Sequence, residues 1–173
     1  MYPENSIIPK VVWLTGLSGA GKTTLGEKLT DELRKKNLKV EFLDGDVLRN
    51  LFPATGFSRA ERDEHVKRVG FLASRLEKNG VFVIAALISP YRETRDFVRT
   101  LCNQFVEVHA AASLEECERR DVKGLYAKAR RGEIANFTGI SDPYEEPLDP
   151  EIRVDTQHLS VDESVARILR EII

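Results

Sequence analysis

Strand-like apolar segments recur at Val11 to Leu14, Val40 to Leu43, Val81 to Leu87, Phe105 to Val108 and Ile152 to Val154. Most are separated by stretches whose apolar positions return every three to four residues. A short apolar run bounded by polar residues reads as a buried strand, and i, i+4, i+8 spacing reads as one face of a helix. Leu25, Leu29 and Leu33 form such a face, and Val66, Val69, Leu72 and Leu76 form another. Val161-Asp162-Glu163 opens a terminal helix whose apolar residues include Val165, Ile168, Leu169 and Ile172. This alternation predicts a parallel sheet of about five strands. Right-handed crossovers then place helices on both faces, giving a three-layer α/β fold with its ligand site at the carboxyl ends of the strands. Two stretches break the rhythm. The crossover from Gly45 to Gly80 is longer than one helix requires, and Asp121 to Pro150 is rich in charge, glycine and proline without a strong period. Long irregular segments of this kind serve as lids or binding loops.

Between the first strand and the first helix stands Gly16-Leu17-Ser18-Gly19-Ala20-Gly21-Lys22-Thr23, followed by Thr24. It meets every fixed position of the phosphate-binding loop G-x-x-x-x-G-K-S/T, so the fold is expected to be that of the P-loop NTPases. Glycines let backbone N–H groups crowd around phosphate oxygens with no Cβ in the way. The helix starting near Lys22 adds its unpaired amides, Lys22 reaches the β and γ phosphates, and the Thr23 hydroxyl is placed to ligate Mg²⁺. A nucleoside triphosphate is the expected ligand.

Composition narrows the partners. A chain of 173 residues suits a single domain over 1–173 with a core that folds without staples. The net charge of −2 and a pI near 6.0 give no global bias toward nucleic acid or membrane, so small molecules are the expected partners. Cys102 and Cys117 lack C-x-x-C spacing and read as reduced buried thiols in a cytoplasmic protein. The N-terminus has no signal-peptide layout, and no apolar run approaches the length of a membrane span.

After the second strand comes Leu43-Asp44-Gly45-Asp46-Val47-Leu48-Arg49, with two carboxylates at the ligand edge. Phosphoryl transfer needs a metal ion, an oriented hydroxyl and positive charge around the transferring group, and Asp44 and Asp46 suit the first two needs.

Taken together, these segments resemble the adenylylsulfate (APS) kinases, which transfer the γ-phosphoryl group of ATP to the 3′-hydroxyl of APS to make PAPS. The likeness runs almost the length of the chain. It is carried by Gly16 to Thr24, Leu43 to Arg49, Gly56-Phe57-Ser58 with Arg62, Ile88-Ser89-Pro90-Tyr91-Arg92, Lys123-Gly124-Leu125-Tyr126, Asn136-Phe137-Thr138-Gly139-Ile140 and Asp142-Pro143-Tyr144-Glu145.

The resemblance implies that Asp46 accepts or orients the proton of the 3′-hydroxyl and that Asp44 helps hold Mg²⁺ through water. It implies that Arg49 and Arg62 bind the phosphosulfate, and that Phe57 and Phe137 sandwich the APS adenine. Arg119 to Arg131 resembles the start of a lid, approximately 119–145, with Arg119 near the ATP base, Lys123 near substrate and Arg130 near phosphate. Ile88 and Ser89 fall at the substrate edge. The family is often described as having a phosphoserine at the Ser89 position. Ser followed by Pro is also a helix N-cap pattern, and in-line transfer needs no covalent step.

His65 stands where the family usually has an Asn expected to hydrogen-bond APS. His109 reads as structural, and His158 as a surface residue without chemical company. A homodimer and a functional link to ATP sulfurylase follow from the same resemblance. Two other readings share parts of the pattern. A kinase for gluconate or a nucleoside monophosphate has no reason to carry the D-G-D, I-S-P-Y and F-T-G-I segments together. A non-catalytic PAPS-sensing domain should have a degraded P-loop, whereas Lys22 and Thr23 are in place.

Overall fold

All five apolar segments are strands in the computed structural model, which describes residues 7–52 and 56–173. The first six residues, on which the reading of the N-terminus partly rests, and 53–55, inside the expected long crossover, lie outside the described residues. The strands are β1 (Val11–Thr15), β2 (Val40–Asp44), β3 (Phe82–Ala86), β4 (Phe105–Ala111) and β5 (Ile152–Asp155). They pair in parallel in the order β2-β3-β1-β4-β5.

Side-chain alternation along β1 divides the core in two. Val12 and Leu14 pack with Leu25, Leu29 and Leu33 of α1 (Lys22–Lys35) and with Val165, Ile168 and Ile172 of α7 (Val161–Ile172). Val11 and Trp13 face the other way, onto Val66, Val69 and Ala73 of α3 (Arg59–Lys78) and Val98 of α4 (Arg92–Leu101). Because helices cover both faces, β1 and β3 are buried throughout, as the continuous apolar runs require. Leu72 and Leu76 of the expected α3 stripe lie at the margin of the second cluster, only partly buried.

The long crossover contains two helices, α2 (Gly45–Leu51) and α3. Ser58 starts α3 with a capping box to Glu61, and Ser160 starts α7 in the same way with Glu163. The second irregular stretch also holds a short helix, α6 (Leu125–Arg130), which follows α5 (Leu114–Arg120). Two glycines are fixed by space. A Cβ on Gly16 would sit 2.6 Å from the Ala110 carbonyl oxygen, and one on Gly45 would sit 2.7 Å from Cγ of Leu87.

The Ser-Pro pattern does not cap a helix. The helix after β3 begins three residues later, at Arg92, with Tyr91 in the cap position and no side-chain cap. Ser89 instead adopts a positive φ of 40°, and its hydroxyl is drawn into the sheet, where the Trp13 indole N–H donates to Oγ at 3.0 Å. A long-range partner has overridden the local capping chemistry.

Candidate active site

The carboxyl ends of β1, β2 and β3, together with residues from 121 to 138, enclose a cleft of about 650 Å³. On one side lies the phosphate-binding loop. Its Lys22 is buried, and Nζ donates to the Leu17 carbonyl at 2.7 Å within the loop itself. Burial pushes the ammonium down to about 8, against the upward pull of the Cys117, Asp46 and Asp44 charges. Two side chains from beyond the loop fix its carbonyls: Tyr126 Oη donates to Ser18 at 2.8 Å, and Arg120 donates to Gly19 at 3.2 Å.

Asp44 caps α2, since its Oδ1 accepts from the backbone N–H groups of Asp46 at 2.8 Å and Val47 at 3.1 Å. Its Oδ2 accepts from the Thr23 hydroxyl at 3.1 Å. A carboxylate and a hydroxyl oxygen that meet beside the phosphate-binding loop form a hard donor pair that fits Mg²⁺, an ion that takes few protein ligands and fills its shell with water and phosphate.

Two residues on, Asp46 presents its carboxylate to the cleft and accepts from Lys123 Nζ at 2.6 Å, across 77 residues of chain. Burial raises its pKa, but the hydrogen bond and charge of Lys123, with Lys22 and Arg49 behind them, outweigh this and hold the carboxyl below the ordinary aspartate value.

The far wall is cationic and aromatic. The Arg49 guanidinium lies 4.8 Å from the Phe57 ring centroid and donates to the Gly56 carbonyl at 2.6 Å. Arg62 lies 5.4 Å from the same ring and donates to the carbonyls of Phe57 at 2.8 Å and Asn136 at 2.6 Å. Burial lowers the pKa of both guanidiniums, which remain charged at any physiological pH. Phe57 is 55 % exposed, so most of one ring is open to a ligand. Phe137 is buried, edge-on to Tyr126 with centroids 5.0 Å apart, and borders the cleft. Ile88 and Ser89 form the floor beside β3.

His65 is 1 % exposed and points its Nε2 at the Gly45 carbonyl, 2.9 Å away. A carbonyl only accepts, so Nε2 carries the hydrogen; Nδ1 has no partner among the described residues. Burial, then Arg49, push the pKa below the ordinary histidine value. The unfolded chain therefore binds a proton that the folded one resists. The His65 contribution to stability is complete above about pH 6.5 and is lost as pH falls toward the depressed folded value. His109, buried in β4, shifts the same way. Denaturant melts between pH 7.5 and 5 should show stability falling on acidification, with a shallower fall in His65→Asn; equal slopes would remove His65 from this account.

Most expected site residues meet in this one cleft: Ser18, Gly19, Gly21, Lys22, Thr23 and Thr24, then Asp44, Asp46, Arg49, Phe57, Arg62, His65, Ile88, Ser89, Lys123 and Phe137. Gly16, Leu17 and Ala20 shape the loop beneath its lining. Arg119 and Arg130 stand apart, hydrogen-bonded to Glu116 and Glu118. His158 lies on the surface as expected but pairs with Asp155 at 2.8 Å. Tyr126 and Arg120, which hold the phosphate-binding loop, gave no separate signal in the sequence because their partners are backbone carbonyls more than 100 positions away.

Comparison with known proteins bears on this arrangement. The sequence model of the Adenylylsulphate kinase family matches residues 8–155. An adenylyl-sulfate kinase of Gloeothece citriformis is 53 % identical over 162 residues, covering 93 % of this chain and 92 % of its own. Among solved structures, the Mycobacterium tuberculosis APS kinase CysC in complex with AMPPNP and APS superposes with a TM-score of 0.91 at 40 % identity, covering 96 % of this chain and 98 % of its own. A hexameric APS kinase from Thiobacillus denitrificans superposes at a TM-score of 0.72 and 36 % identity, over 97 % of this chain and 30 % of its own.

Proposed function

Since this chain belongs to the adenylylsulphate kinase family, we propose that it transfers the γ-phosphoryl group of ATP to the 3′-hydroxyl of adenosine 5′-phosphosulfate, giving PAPS and ADP. One observation carries the reading: Lys22 and the carboxylate of Asp46 open into the same cleft as Arg49, Phe57 and Arg62. A phosphate-gripping loop, a base and an anion-binding wall with an exposed ring are the parts that two nucleotides meeting end to end require.

In this reading Asp46 takes the 3′-hydroxyl proton as that oxygen attacks the γ-phosphorus and the bond to the β-bridging oxygen breaks. Lys22 and the loop amides hold the charge that spreads over the transferring group. Thr23 and Asp44 would hold Mg²⁺, which would supply further charge neutralisation on the phosphates. Arg49 and Arg62 take the phosphosulfate with planar, multidentate donors. Phe57 and Phe137 face the adenine, and His65 stands behind the substrate wall. Ser89 is a substrate-side contact in a direct transfer, because its hydroxyl already accepts from Trp13 and sits within a buried turn.

The segment 119–145 is a lid of the single domain 1–173. Lys123 bridges it to Asp46 and leaves that carboxylate when substrate arrives; Arg119 and Arg130 would turn toward ATP on closure. The two free cysteines suit a cytoplasmic location, and among the described residues no helix is long and apolar enough to cross a membrane. Assembly of the related Thiobacillus kinase supports self-association, with the homodimer as the form expected here. ATP sulfurylase fits as the functional partner because it would supply APS. Purified protein given Mg·ATP and APS should make PAPS and ADP in equal amounts, and light scattering on the same sample should give twice the chain mass. Absence of turnover with APS would sink the proposed activity.

A further inference from the structure

Arg95 is 2 % exposed, lies outside the cleft, and is absorbed by no part of the chemistry above. Its guanidinium makes three bonds in three directions. Nε donates to Glu107 of β4 at 2.7 Å, Nη1 to the Ser89 carbonyl at 2.6 Å and Nη2 to the Glu145 carbonyl at 2.7 Å. Glu107 itself is buried and is shared at 3.4 Å with Arg99. The cation is therefore anchored to the sheet on one side and grips two separate loops on the other.

Those loops carry two different parts of the cleft lining, Ser89 and Phe137. Ser89 belongs to the floor that leaves β3, with a positive φ and a hydroxyl that donates to the Leu87 carbonyl at 3.4 Å. Glu145 ends the loop that begins at Phe137. That loop is folded on itself, because Gly139 N–H donates to the Asp142 carbonyl at 2.7 Å and Phe137 N–H donates to Ser141 Oγ at 3.0 Å. Further ties follow the same line. Glu145 N–H donates to the Pro90 carbonyl at 2.8 Å, Tyr91 Oη to Asp142 at 2.6 Å, and Arg92 N–H to Glu145 Oε2 at 2.9 Å.

We infer that Arg95 is a positioning residue that clasps the Ser89 floor to the Phe137 loop and so sets the width of the acceptor-nucleotide pocket. A planar guanidinium reaches a carboxylate and two carbonyls at fixed angles. Lysine, a point charge on a flexible stem, can keep the ion pair with Glu107 but cannot hold both carbonyls in that geometry. Catalytic rates fall by about a hundredfold when reacting groups move by roughly an ångström, so a loosened pocket has a kinetic signature.

The inference rests on the proposed function for its kinetic readout, and on Trp13 for a readout that needs no substrate. Trp13 is the chain's only tryptophan, and its indole N–H is bonded to Ser89 Oγ. Two variants serve as probes. Arg95→Lys keeps the charge, while the pair Arg95→Met with Glu107→Leu removes both charges and strands neither. In both, Trp13 emission should shift in the free protein, and KM for APS should rise by about ten- to a hundredfold while KM for ATP stays within about twofold. Unchanged Trp13 emission in a cooperatively melting variant would overturn the clasp, even if the wild-type protein proved inactive on APS. Equal changes in both Michaelis constants, or no change in either, would also overturn it. So would failure of both variants to fold, which would leave Arg95 a core residue only.

Discussion

Asp46→Asn should lower kcat by about 10²- to 10⁴-fold, the range for loss of a positioned general base, while APS continues to bind within a fewfold of wild type. Asparagine keeps the size and one acceptor oxygen of the side chain but cannot take a proton from an attacking hydroxyl. The local fold has no reason to fail. The cap of α2 comes from Asp44, not Asp46, and the side chains of the Lys123–Asp46 pair are 62 % and 71 % exposed, so its loss has little structural cost. The measurement is steady-state kcat beside APS affinity by calorimetry. Because Asp46→Asn also frees Lys123, Lys123→Ala is the control. A large fall in kcat shared equally by both variants would place the effect in the ion pair, and retained kcat in Asp46→Asn would remove the base role.

The second large effect belongs to Lys22. Removing it as Lys22→Ala should cut kcat by about 10²- to 10³-fold, in line with losing one donor at a charge-developing oxygen, and should weaken ATP binding as well. The ammonium is desolvated before any nucleotide arrives, and its pKa of about 8 shows how poorly the free site compensates it. A triphosphate supplies the missing negative charge, so part of the ATP affinity is relief of that penalty. The same relief predicts a sign. Lys22 should hold its proton more firmly with ATP bound than without, so ATP binding above pH 8 should take up protons from buffer. Calorimetry in buffers of different ionisation enthalpy reads that uptake directly. Near-normal turnover in Lys22→Ala would contradict the role given to the loop.

Much of this was legible in the chain because the deciding interactions were local. The central strands β1 and β3, buried on both faces, must be apolar throughout and so announced themselves, and the phosphate-binding loop did so because glycine is the residue that fits where Gly16 meets Ala110. The cleft residues were reachable because Asp44, Asp46 and Arg49, or Phe57 and Arg62, sit within a few positions of each other. What escaped notice depends on long-range partners. Nothing around Ser89 announces an indole 76 positions earlier, and that contact turned an apparent helix cap into a strained floor. Arg95 reads as an ordinary charge on an amphipathic helix until its three acceptors, contributed by three other segments, are seen together. The short helix α6 was hidden by its length, six residues in which Leu125, Tyr126 and Ala129 pack on the core without completing a helical period.

The strand order β2-β3-β1-β4-β5 has a consequence for how such a protein can diverge. In the proposed reading, chain leaving β2 and β3 builds most of the acceptor side of the cleft, to which Lys123 and Phe137 are added from beyond β4, whereas the loop after β1 and the helix after β4 build the side given to ATP. The two recognition tasks are thus written in interleaved but separable stretches of sequence and meet only at the reaction centre. Substitutions among Arg49, Phe57, Arg62 and His65 can retune one substrate while leaving the other's contacts untouched. A scaffold arranged in this way can exchange its phosphate acceptor piecemeal, keeping a working phosphate donor at every step.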